Sequence, residues 1–408
     1  MNSFSKDIKL LIFAQATSLV GGAILNFALA LFVLELTGAV ETFSIILATA
    51  AIPTALLAPM GGVIADRLDK KKMIVFLDFC KGLLGLILVT ILFLGIEPVA
   101  WITIVMLFLS VSMTLYHPVI TASIPALIDD ERLVQANGAI QGINALAEFI
   151  APVIAGLLMI HLPIEPILIL GIALFWGSAI MELWIKIPFA KIESKSGILK
   201  TVVSDLKEGF SYISKENPKL LKLALSLAVF SAILNPLFMI GIPYITQAVF
   251  GLRQFHVGVA QGATAFAMLL GGLGIQLFKK WLSVKNSPIW MALMSFAILI
   301  LYIALYFEGM IGFLIFTFGF MVILFISTCV NIFTFSLIQE ESPSHLTGKV
   351  IGILIAIVGI LTPLGLRGIG MMFGHFEENL NMLFLILFGI LIISSSIAKI
   401  ILREKSNS

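Results

Sequence analysis

Charged residues are scarce in this chain of 408 residues, and cysteine is almost absent. Asp, Glu, Lys and Arg make up 12% of the sequence, about half the share that soluble domains use to cover their surface. Apolar residues make up 60%, and the mean hydropathy is +1.12. The two cysteines, Cys80 and Cys329, lie within apolar stretches, so we expect no disulfide framework. A chain of this composition must place apolar side chains against something other than water.

Motifs of nucleotide- and metal-dependent chemistry are also missing. The sequence has no G-x-x-x-x-G-K-[ST] loop, no H-E-x-x-H pair and no Cys/His cluster. No His, Asp or Ser residues converge at one end of the apolar segments, as a membrane-embedded enzyme would require. We therefore expect no enzyme activity, no catalytic residue, no metal and no cofactor.

Twelve apolar segments are long enough to cross a bilayer. A helix needs about 20 apolar residues to span a hydrocarbon core of ~30 Å, and long runs without alternation favour helices over barrel strands. The predicted segments are 10–35, 42–64, 73–94, 99–122, 136–160, 164–187, 219–246, 255–279, 284–306, 310–336, 348–371 and 380–402. The sequence therefore predicts an all-α integral membrane protein with about 12 transmembrane helices.

Basic residues are distributed unequally between the two sides of these segments. With the N-terminus placed in the cytoplasm, 22 of the 25 Lys and Arg residues fall in cytoplasmic tails, loops or their flanks. The exceptions are Lys81, Arg253 and Arg367. Because cytoplasmic loops are enriched in Lys and Arg, we expect both termini to be cytoplasmic.

The longest hydrophilic stretch divides the segments six and six. This division predicts an N-terminal six-helix bundle at 1–187, a cytoplasmic linker at 188–218 and a C-terminal bundle at 219–408. Within the linker, apolar residues recur at helical spacing, so it forms either an amphipathic helix on the membrane surface or a solvated connection. The run A-I-L-N at 23–26 recurs at 232–235, and G-G then K-K at 61–62 and 70–71 recur at 271–272 and 279–280. These matches favour duplication of a six-helix unit.

The loop after the second segment carries a distinctive pattern. It reads G-G-V-I-A-D-R-L-D-K-K-K from residue 61 to residue 72. This stretch resembles the signature G-x-x-x-D-R-x-G-R-R/K of the major facilitator superfamily. The residues that fit the signature are Gly62, Asp66, Arg67, Lys70 and Lys71, whereas Asp69 stands in place of the second glycine. The resemblance implies two pseudo-symmetric bundles, which is the major facilitator fold.

Further stretches are similar to one branch of that superfamily, the drug:proton antiporters that include macrolide-efflux proteins. Asp78 and Lys81 fit the D-x-x-R/K pattern of the third helix, and similar runs occur at 116–118, 123–127, 133–138, 337–340 and 348–350. The resemblance implies proton-coupled efflux of amphiphilic, macrolide-type compounds by alternating access, in a bacterial cytoplasmic membrane. Siderophore export or lysolipid transport are alternatives within the class. A transport-inactive sensor is a further alternative, but it should carry a soluble output domain, and no loop or tail of this sequence is large enough for one.

The fifth segment resembles the antiporter pattern G-x8-G-x3-G-P-x2-G-G. The matching positions are Gly138, Ala147, Ala151, Pro152 and Gly156, so several glycines are replaced by alanine. Small residues allow close helix packing and proline bends a helix. The stretch is either a packing seam between the halves or an ordinary kinked helix.

Glu148 is the ionisable residue nearest the middle of a predicted helix. It lies ~18 Å along the fifth segment if that helix begins at Ala136. A buried carboxyl group has a raised pKa, and a carboxyl that exchanges a proton near neutral pH is what a proton-coupled exporter requires. We therefore take Glu148 as the proton-coupling candidate. The alternative is that Glu148 has a structural role as a protonated or paired glutamate.

Other polar residues in the segments have less specific roles. Asp78 and Lys81, three residues apart, can pair on one helix face and form either a conformational latch with the signature loop or a substrate contact. Asn26 and Asn235 occupy equivalent sites of the two halves, and the resemblance implies that they face a substrate cavity; interhelical hydrogen bonding is the alternative. Glu35 is a candidate partner of Arg367 in an outer gate.

The expected partners follow from the same resemblance. They are a small amphiphilic substrate and membrane lipids, with no nucleic acid and no obligate protein partner. Without a nucleotide-binding motif, transport is driven by an ion gradient, most simply a proton gradient, or by the gradient of the substrate.

Overall fold

The computed structural model describes residues 6–128, 132–188, 197–278 and 280–403. These residues form fourteen α-helices and no β-strand. The helices are α1 (Lys6–Thr37), α2 (Val40–Leu57), α3 (Gly61–Arg67), α4 (Lys70–Phe93), α5 (Val99–Ser123), α6 (Leu133–His161), α7 (Ile164–Leu183), α8 (Ile198–Lys215), α9 (Pro218–Tyr244), α10 (Gln254–Phe278), α11 (Ser287–Ala304), α12 (Gly309–Glu341), α13 (Ser344–His375) and α14 (Leu380–Arg403).

Twelve helical spans within these ranges are long and apolar enough to cross a membrane. The second span joins α2 and α3 through a short 3₁₀ turn at Ala58–Met60, and of the fourteen described α-helices α8 alone lies outside the twelve spans. Hydrocarbon offers no partner for a backbone N–H or C=O group, so each span satisfies its backbone internally as a helix. The all-α membrane fold and the number of spans predicted from the sequence are confirmed.

Contacts within the chain divide it into two compact units. Unit 1 contains residues 1–37 and 49–202, and unit 2 contains residues 38–48 and 203–408. The division falls within α8, and the start of α2 belongs to unit 2. The bundle boundaries at 187 and 219 stay predictions.

The same pairs of helices pack in both units. In unit 1, α1 packs against α5, α6 and α7, α4 packs against α5 and α7, and α3 packs against α5. In unit 2, α9 packs against α12, α13 and α14, α11 packs against α12 and α14, and α10 packs against α12. Each pair in unit 2 is the counterpart, six spans later, of a pair in unit 1. The repeated pattern is that of two pseudo-symmetric six-helix bundles.

The repeated glycine pairs serve the same purpose in the two units. A Cβ atom on Gly61 would lie 3.0 Å from Cγ of Pro118 on α5, and one on Gly271 would lie 2.8 Å from the carbonyl oxygen of Phe325 on α12. Glycine at these positions lets the second span of each unit approach the fourth closely. The sequence repeat therefore corresponds to a repeated helix crossing.

The connection between α3 and α4 is fixed by three side chains of the signature loop. Asp69 caps α4, since its Oδ1 accepts a hydrogen bond from a backbone N–H of the first turn at 3.2 Å. Arg67 Nη2 donates to Thr201 Oγ1 at 2.8 Å, and Lys71 Nζ donates to the carbonyl of Leu183 at 2.6 Å. The aspartate that replaces the second glycine of the signature thus starts the next helix.

Helix α8 is strongly amphipathic and forms where the linker was predicted. Its later part packs in unit 2, where Lys349 Nζ lies 2.6 Å from Glu208 Oε2 and 3.3 Å from Asp205 Oδ1. Leu199, Val203 and Phe210 lie on one face and are exposed. An exposed apolar stripe on a polar helix suits the membrane interface, and this location stays a prediction.

We predict that Gly365→Ala destabilises unit 2, because a Cβ atom at this position would collide with the backbone carbonyl of Ala232 where α13 crosses α9. Overpacking of this kind costs about 1–3 kcal/mol, and a backbone group cannot rotate away. Thermal unfolding of the detergent-solubilised protein measures the effect. Gly352→Ala is the matched control, since nothing lies within 4 Å of its Cβ position on the same helix. Equal unfolding temperatures for both variants would contradict the prediction.

Candidate functional site

A cavity of about 370 Å³ opens within unit 1 between α1, α4, α5 and α6. One wall is apolar and includes Leu19, Leu109 and Met113. The rest of the lining is rich in polar groups, contributed by Gln15, Ser18, Lys81, Tyr116, His117, Gln141, Asn144 and Glu148. The cavity therefore presents an apolar surface and a charged surface to the same space.

Helical periodicity explains why three polar residues of α6 line the cavity together. Gln141, Asn144 and Glu148 are spaced three and four residues apart, so they lie on one face of the helix. Glu148 is the sixteenth residue of α6 and lies ~22 Å from its start at ~1.5 Å per residue. Its carboxylate is exposed to the cavity in the middle of the span.

A buried ion pair lies beside this cavity. Asp78 and Lys81, one turn apart on α4, bring Oδ1 and Nζ to 2.5 Å, and both side chains are almost fully buried. Ser18 on α1 completes a triangle, since its hydroxyl donates to Asp78 Oδ1 and accepts from Lys81 Nζ, each at 2.8 Å. The three residues therefore tie α4 to α1.

Aromatic rings surround the same ammonium group. Lys81 Nζ lies 4.5 Å from the ring centroid of Phe175 on α7 and 5.1 Å from that of Tyr116 on α5. Both distances are in the range of cation–π attraction, which strengthens when the cation is desolvated. The ammonium of Lys81 thus contacts groups from four helices.

A second buried carboxyl adjoins the pair. Tyr116, whose ring faces Lys81, donates its hydroxyl to Glu182 Oε1 at 2.6 Å. Ser178, one turn earlier on α7, donates to the carbonyl of Ala14 at 2.9 Å and lies 3.5 Å from the same Glu182 oxygen. Glu182 is fully buried. Its hydrogen bond with Tyr116 connects α7 to α5, and Ser178 connects α7 to α1 through the carbonyl of Ala14.

Several acceptor atoms in this network are unused. Gln15 donates from Nε2 to Asn144 Oδ1 at 3.3 Å, which joins α1 to α6. Within the described ranges, Gln15 Oε1, Asp78 Oδ2 and Glu182 Oε2 are buried and accept no hydrogen bond. The network therefore holds one ammonium, two buried carboxyl groups and spare acceptor capacity.

The predicted site residues fall into three groups. Glu148 and Lys81 line the same cavity, and Asp78 is paired to Lys81 behind it. Asn26 is exposed on α1 and outside the cavity, and Asn235 borders a pocket of about 20 Å³ in unit 2. Their roles in substrate binding stay predictions.

The remaining predicted residues lie elsewhere in their units. In the signature loop, Gly62 and Asp66 are exposed and Lys70 is half-buried. In α6, Ala147, Ala151, Pro152 and Gly156 are buried, whereas Gly138 is exposed. Glu35 is exposed near the end of α1 in unit 1, and Arg367 is exposed on α13 in unit 2. The latch, the packing seam and the outer gate stay predictions.

The sequence interpretation missed five polar residues of this site: Gln15, Ser18, Tyr116, Gln141 and Asn144. A signal for part of the set was present. Polar residues three or four apart within an apolar segment mark one face of a helix, as at 15 and 18 on α1 and at 141, 144 and 148 on α6. Glu182 belongs to the hydrogen-bonded network, and His117 belongs to the cavity lining.

The core of unit 2 has a different character. Its buried hydroxyl groups bond mainly to backbone carbonyls, as Ser295 does to Met291 and Ser395 to Pro288. Aromatic rings fill its centre in edge-to-face contacts, with Phe316 packed on Phe320 at 5.1 Å between centroids. The buried ammonium–carboxylate network of unit 1 thus has no counterpart among the described residues of unit 2. Throughout the described ranges, no group of three or more His, Cys, Asp or Glu side chains is placed to hold a metal ion.

Comparison with known sequences places this geometry in a wider context. The model of the Major Facilitator Superfamily matches residues 11–366. Macrolide efflux protein A of Streptococcus pyogenes is 25% identical over 367 residues, which cover 86% of this chain and 85% of that protein. Macrolide efflux protein A of Enterococcus faecalis is 24% identical over 320 residues, which cover 77% of this chain and 96% of that protein.

Solved structures share the whole fold. A mutant of the nucleoside transporter NupG aligns with a TM-score of 0.78 at 15% identity, covering 98% of this chain and 100% of that one. A bacterial homologue of the iron transporter ferroportin, in its inward-facing state, aligns with a TM-score of 0.72 at 16% identity, covering 99% of both chains. At this level of identity the likeness shows the fold alone.

We predict that Asp78→Asn is strongly destabilising and that Asp78→Asn/Lys81→Met recovers part of the loss. Removing one partner of a buried pair leaves an uncompensated charge, which costs about 3–5 kcal/mol, whereas replacing both partners is often tolerated. Thermal unfolding in detergent reports the difference. Lys72→Met on the same helix is the control, because Lys72 is exposed and its contact with Asp69 at 3.6 Å contributes little. A single Asp78 variant as stable as the double variant would disprove the pairing.

Proposed function

The chain belongs to the Major Facilitator Superfamily, and from this premise we propose that it exports amphiphilic, drug-like compounds of the macrolide type in exchange for protons. Family and fold are those of membrane transporters. Transport in this architecture proceeds by alternating access, in which two bundles expose a binding site to one side of the membrane at a time. The proposal concerns the substrate, the coupling ion and the direction of transport.

The curated relatives support the substrate class. Two of them are named macrolide efflux proteins, and the similarity extends over most of both chains in each case. A name shared at about 25% identity supports a compound class and not a particular compound. We therefore propose bulky amphiphiles with a basic group as the substrates.

The cavity of unit 1 is the observation that carries the proposal. At about 370 Å³ it lies at the lower end of the range for drug-sized ligands, roughly 300–1,000 Å³. It accepts the basic part of a larger amphiphile, with the apolar wall around Met113 taking hydrocarbon and the Glu148 carboxylate taking the positive charge. Lys81 also lines the cavity, but its positive charge is already neutralised by Asp78.

One carboxylate with two alternative partners provides a mechanism of exchange. A charged Glu148 in an apolar span is unfavourable unless it is protonated or paired with a cation. A proton and a cationic substrate therefore compete for the same group. If the empty, charged site reorients slowly because of its uncompensated charge, each transport step must carry either a proton or the substrate. Coupled exchange follows from this competition.

The proposed energy source is the proton gradient, and we propose no cofactor. Partners are the small-molecule substrate and membrane lipids, with no nucleic acid and no obligate protein partner. We place the protein in a bacterial cytoplasmic membrane with both termini inside, since 22 of its 25 Lys and Arg residues fall on that side. Export of a siderophore and movement of a lysolipid remain the alternatives within the same fold.

We predict that Glu148→Gln abolishes transport driven by a pH gradient and leaves substrate binding measurable. The amide keeps the size and polarity of the side chain but can neither release a proton nor attract a cation, so binding of a cationic amphiphile weakens by about tenfold without being lost. Proteoliposomes with an imposed pH gradient measure the flux of a macrolide, a cationic dye, a siderophore and a lysophospholipid.

Glu97→Gln is the matched control, because Glu97 is exposed in the loop between α4 and α5. It should transport as the wild type does. Gradient-driven efflux that persists in Glu148→Gln would remove this residue from the mechanism. Flux of only the siderophore or only the lysophospholipid in the wild type would replace the proposed substrate, and flux of no compound by folded protein would overturn the proposal.

We also predict that the C-terminus lies on the cytoplasmic side of the membrane. A protease-cleavable tag fused after Ser408 should resist external protease in intact cells and be cleaved after the membrane is permeabilised. A tag inserted after Gly95, in the loop between α4 and α5, should show the opposite behaviour, because an odd number of spans separates the two positions. Cleavage of the terminal tag in intact cells would reverse the proposed topology.

A further inference from the structure

A second, larger cavity lies at one end of unit 2. Its volume is about 740 Å³. It lies where α9 and α11 begin and where α12 and α14 end, and its lining includes the connection between α10 and α11. Because these five helices are membrane spans, the cavity lies at the level where hydrocarbon meets the polar headgroups. It is separate from the cavity of unit 1 that contains Glu148.

The lining combines positive charge with an apolar floor. Lys219, Lys222 and Lys285 contribute the charge, and Phe333, Leu337 and Ile401 are among the apolar residues. Two further lysines, Lys280 and Lys399, are exposed within a few residues of the lining along the chain. An anion with an attached hydrocarbon chain is the ligand that matches both surfaces.

The lysines are unequally available to such a ligand. Lys219 Nζ lies 2.9 Å from Glu341 Oε1, and Asn217 holds the other oxygen of that carboxylate at 3.0 Å. Lys222 Nζ donates to the backbone carbonyl of Ile401 at 3.2 Å, and no carboxylate in the described ranges pairs with it. Lys285 is exposed, and no side chain in the described ranges pairs with it.

Acidic residues offset only part of this charge. Glu216 lines the cavity, Glu341 is committed to Lys219, and Glu340 is exposed nearby. Among the described residues that line the cavity or pair with its lining, three lysines therefore meet two carboxylates. The excess charge is positive and is contributed by Lys222 and Lys285.

The outer surface next to the cavity suits an acyl chain. Leu273 and Leu277 on α10 are about 80% exposed, and Trp281 is exposed directly after the helix. Tryptophan is enriched at the interface between hydrocarbon and headgroups, and exposed leucines of a span face lipid tails. A headgroup bound by the lysines could therefore leave its acyl chains along this face of α10.

We propose that this cavity binds the phosphate-bearing headgroup of an anionic phospholipid of the surrounding membrane. A soluble phosphate compound would use the same lysines but not the apolar floor or the leucine face. The lipid is the better match because the cavity opens at the depth where phospholipid phosphates are concentrated. Basic pockets between transmembrane helices bind anionic headgroups by this combination of charge and position.

The test uses the full chain in a mild detergent and follows its thermal unfolding during titration with phosphatidylglycerol, phosphatidylcholine, inorganic phosphate or glycerol 3-phosphate. We expect phosphatidylglycerol to raise the unfolding temperature and phosphatidylcholine to have little effect. Lys222→Gln/Lys285→Gln should weaken the apparent affinity for phosphatidylglycerol about 30-fold, since each lysine near an anionic lipid surface contributes roughly fivefold.

Lys6→Gln/Lys186→Gln is the matched control, because it removes two exposed lysines from unit 1. It should keep the affinity of the wild type. If the double variant at 222 and 285 is less stable without lipid, Lys285→Gln alone provides the test, since its side chain has no described partner to lose. It should then show about a fivefold loss of affinity.

Three results would overturn the proposal. The first is equal stabilisation by phosphatidylcholine, which would indicate general solvation by lipid. The second is an equal loss of affinity in the control pair, which would indicate attraction by surface charge at large. The third is competition by inorganic phosphate or glycerol 3-phosphate at concentrations comparable to those of the lipid, which would assign the cavity to a soluble phosphate compound.

Discussion

The packing of four helices in unit 1 depends on the contacts of the Lys81 ammonium group. A cation inside an apolar bundle must find its partners within the protein. Here the partners are Asp78 on the same helix, Ser18 on α1, Tyr116 on α5 and Phe175 on α7. Because each partner comes from a different helix, satisfying one charge fixes the relative placement of four helices. Three of these helices, α1, α4 and α5, also line the adjacent cavity, so their placement determines its shape.

The two units have equivalent helix packing but different types of side chain in their cores. Equivalent helix pairs contact one another in both, and paired glycines allow the same close crossing. Unit 1 fills its centre with a charged network, whereas unit 2 uses phenylalanine rings and hydroxyl groups that bond to the backbone. The equivalent helix contacts therefore do not require equivalent polar side chains.

Two clusters of basic residues in the described ranges lie at the ends of spans. The lysines around the large cavity of unit 2 and the basic loop between α3 and α4 both lie where helices begin or end. Hydrocarbon excludes unpaired charge, so helix ends are the positions where lysines can be both numerous and solvated. Lysines at helix ends lie close to the level of the lipid headgroups.

The sequence by itself determined the class, the number of spans, the repeat and the depth of Glu148, because hydrophobic length and helical periodicity are local properties of the chain. It also contained the aligned polar face of α6 at 141, 144 and 148. Tertiary structure decided which faces meet: Ser18 and Asp78 are 60 positions apart, and Gln15 and Asn144 are 129 apart. It also assigned Glu182 to the network and left Asn26 outside the cavity. Periodicity gives the direction of a side chain around its own helix, but its partner depends on side-chain packing between helices that are distant in the chain.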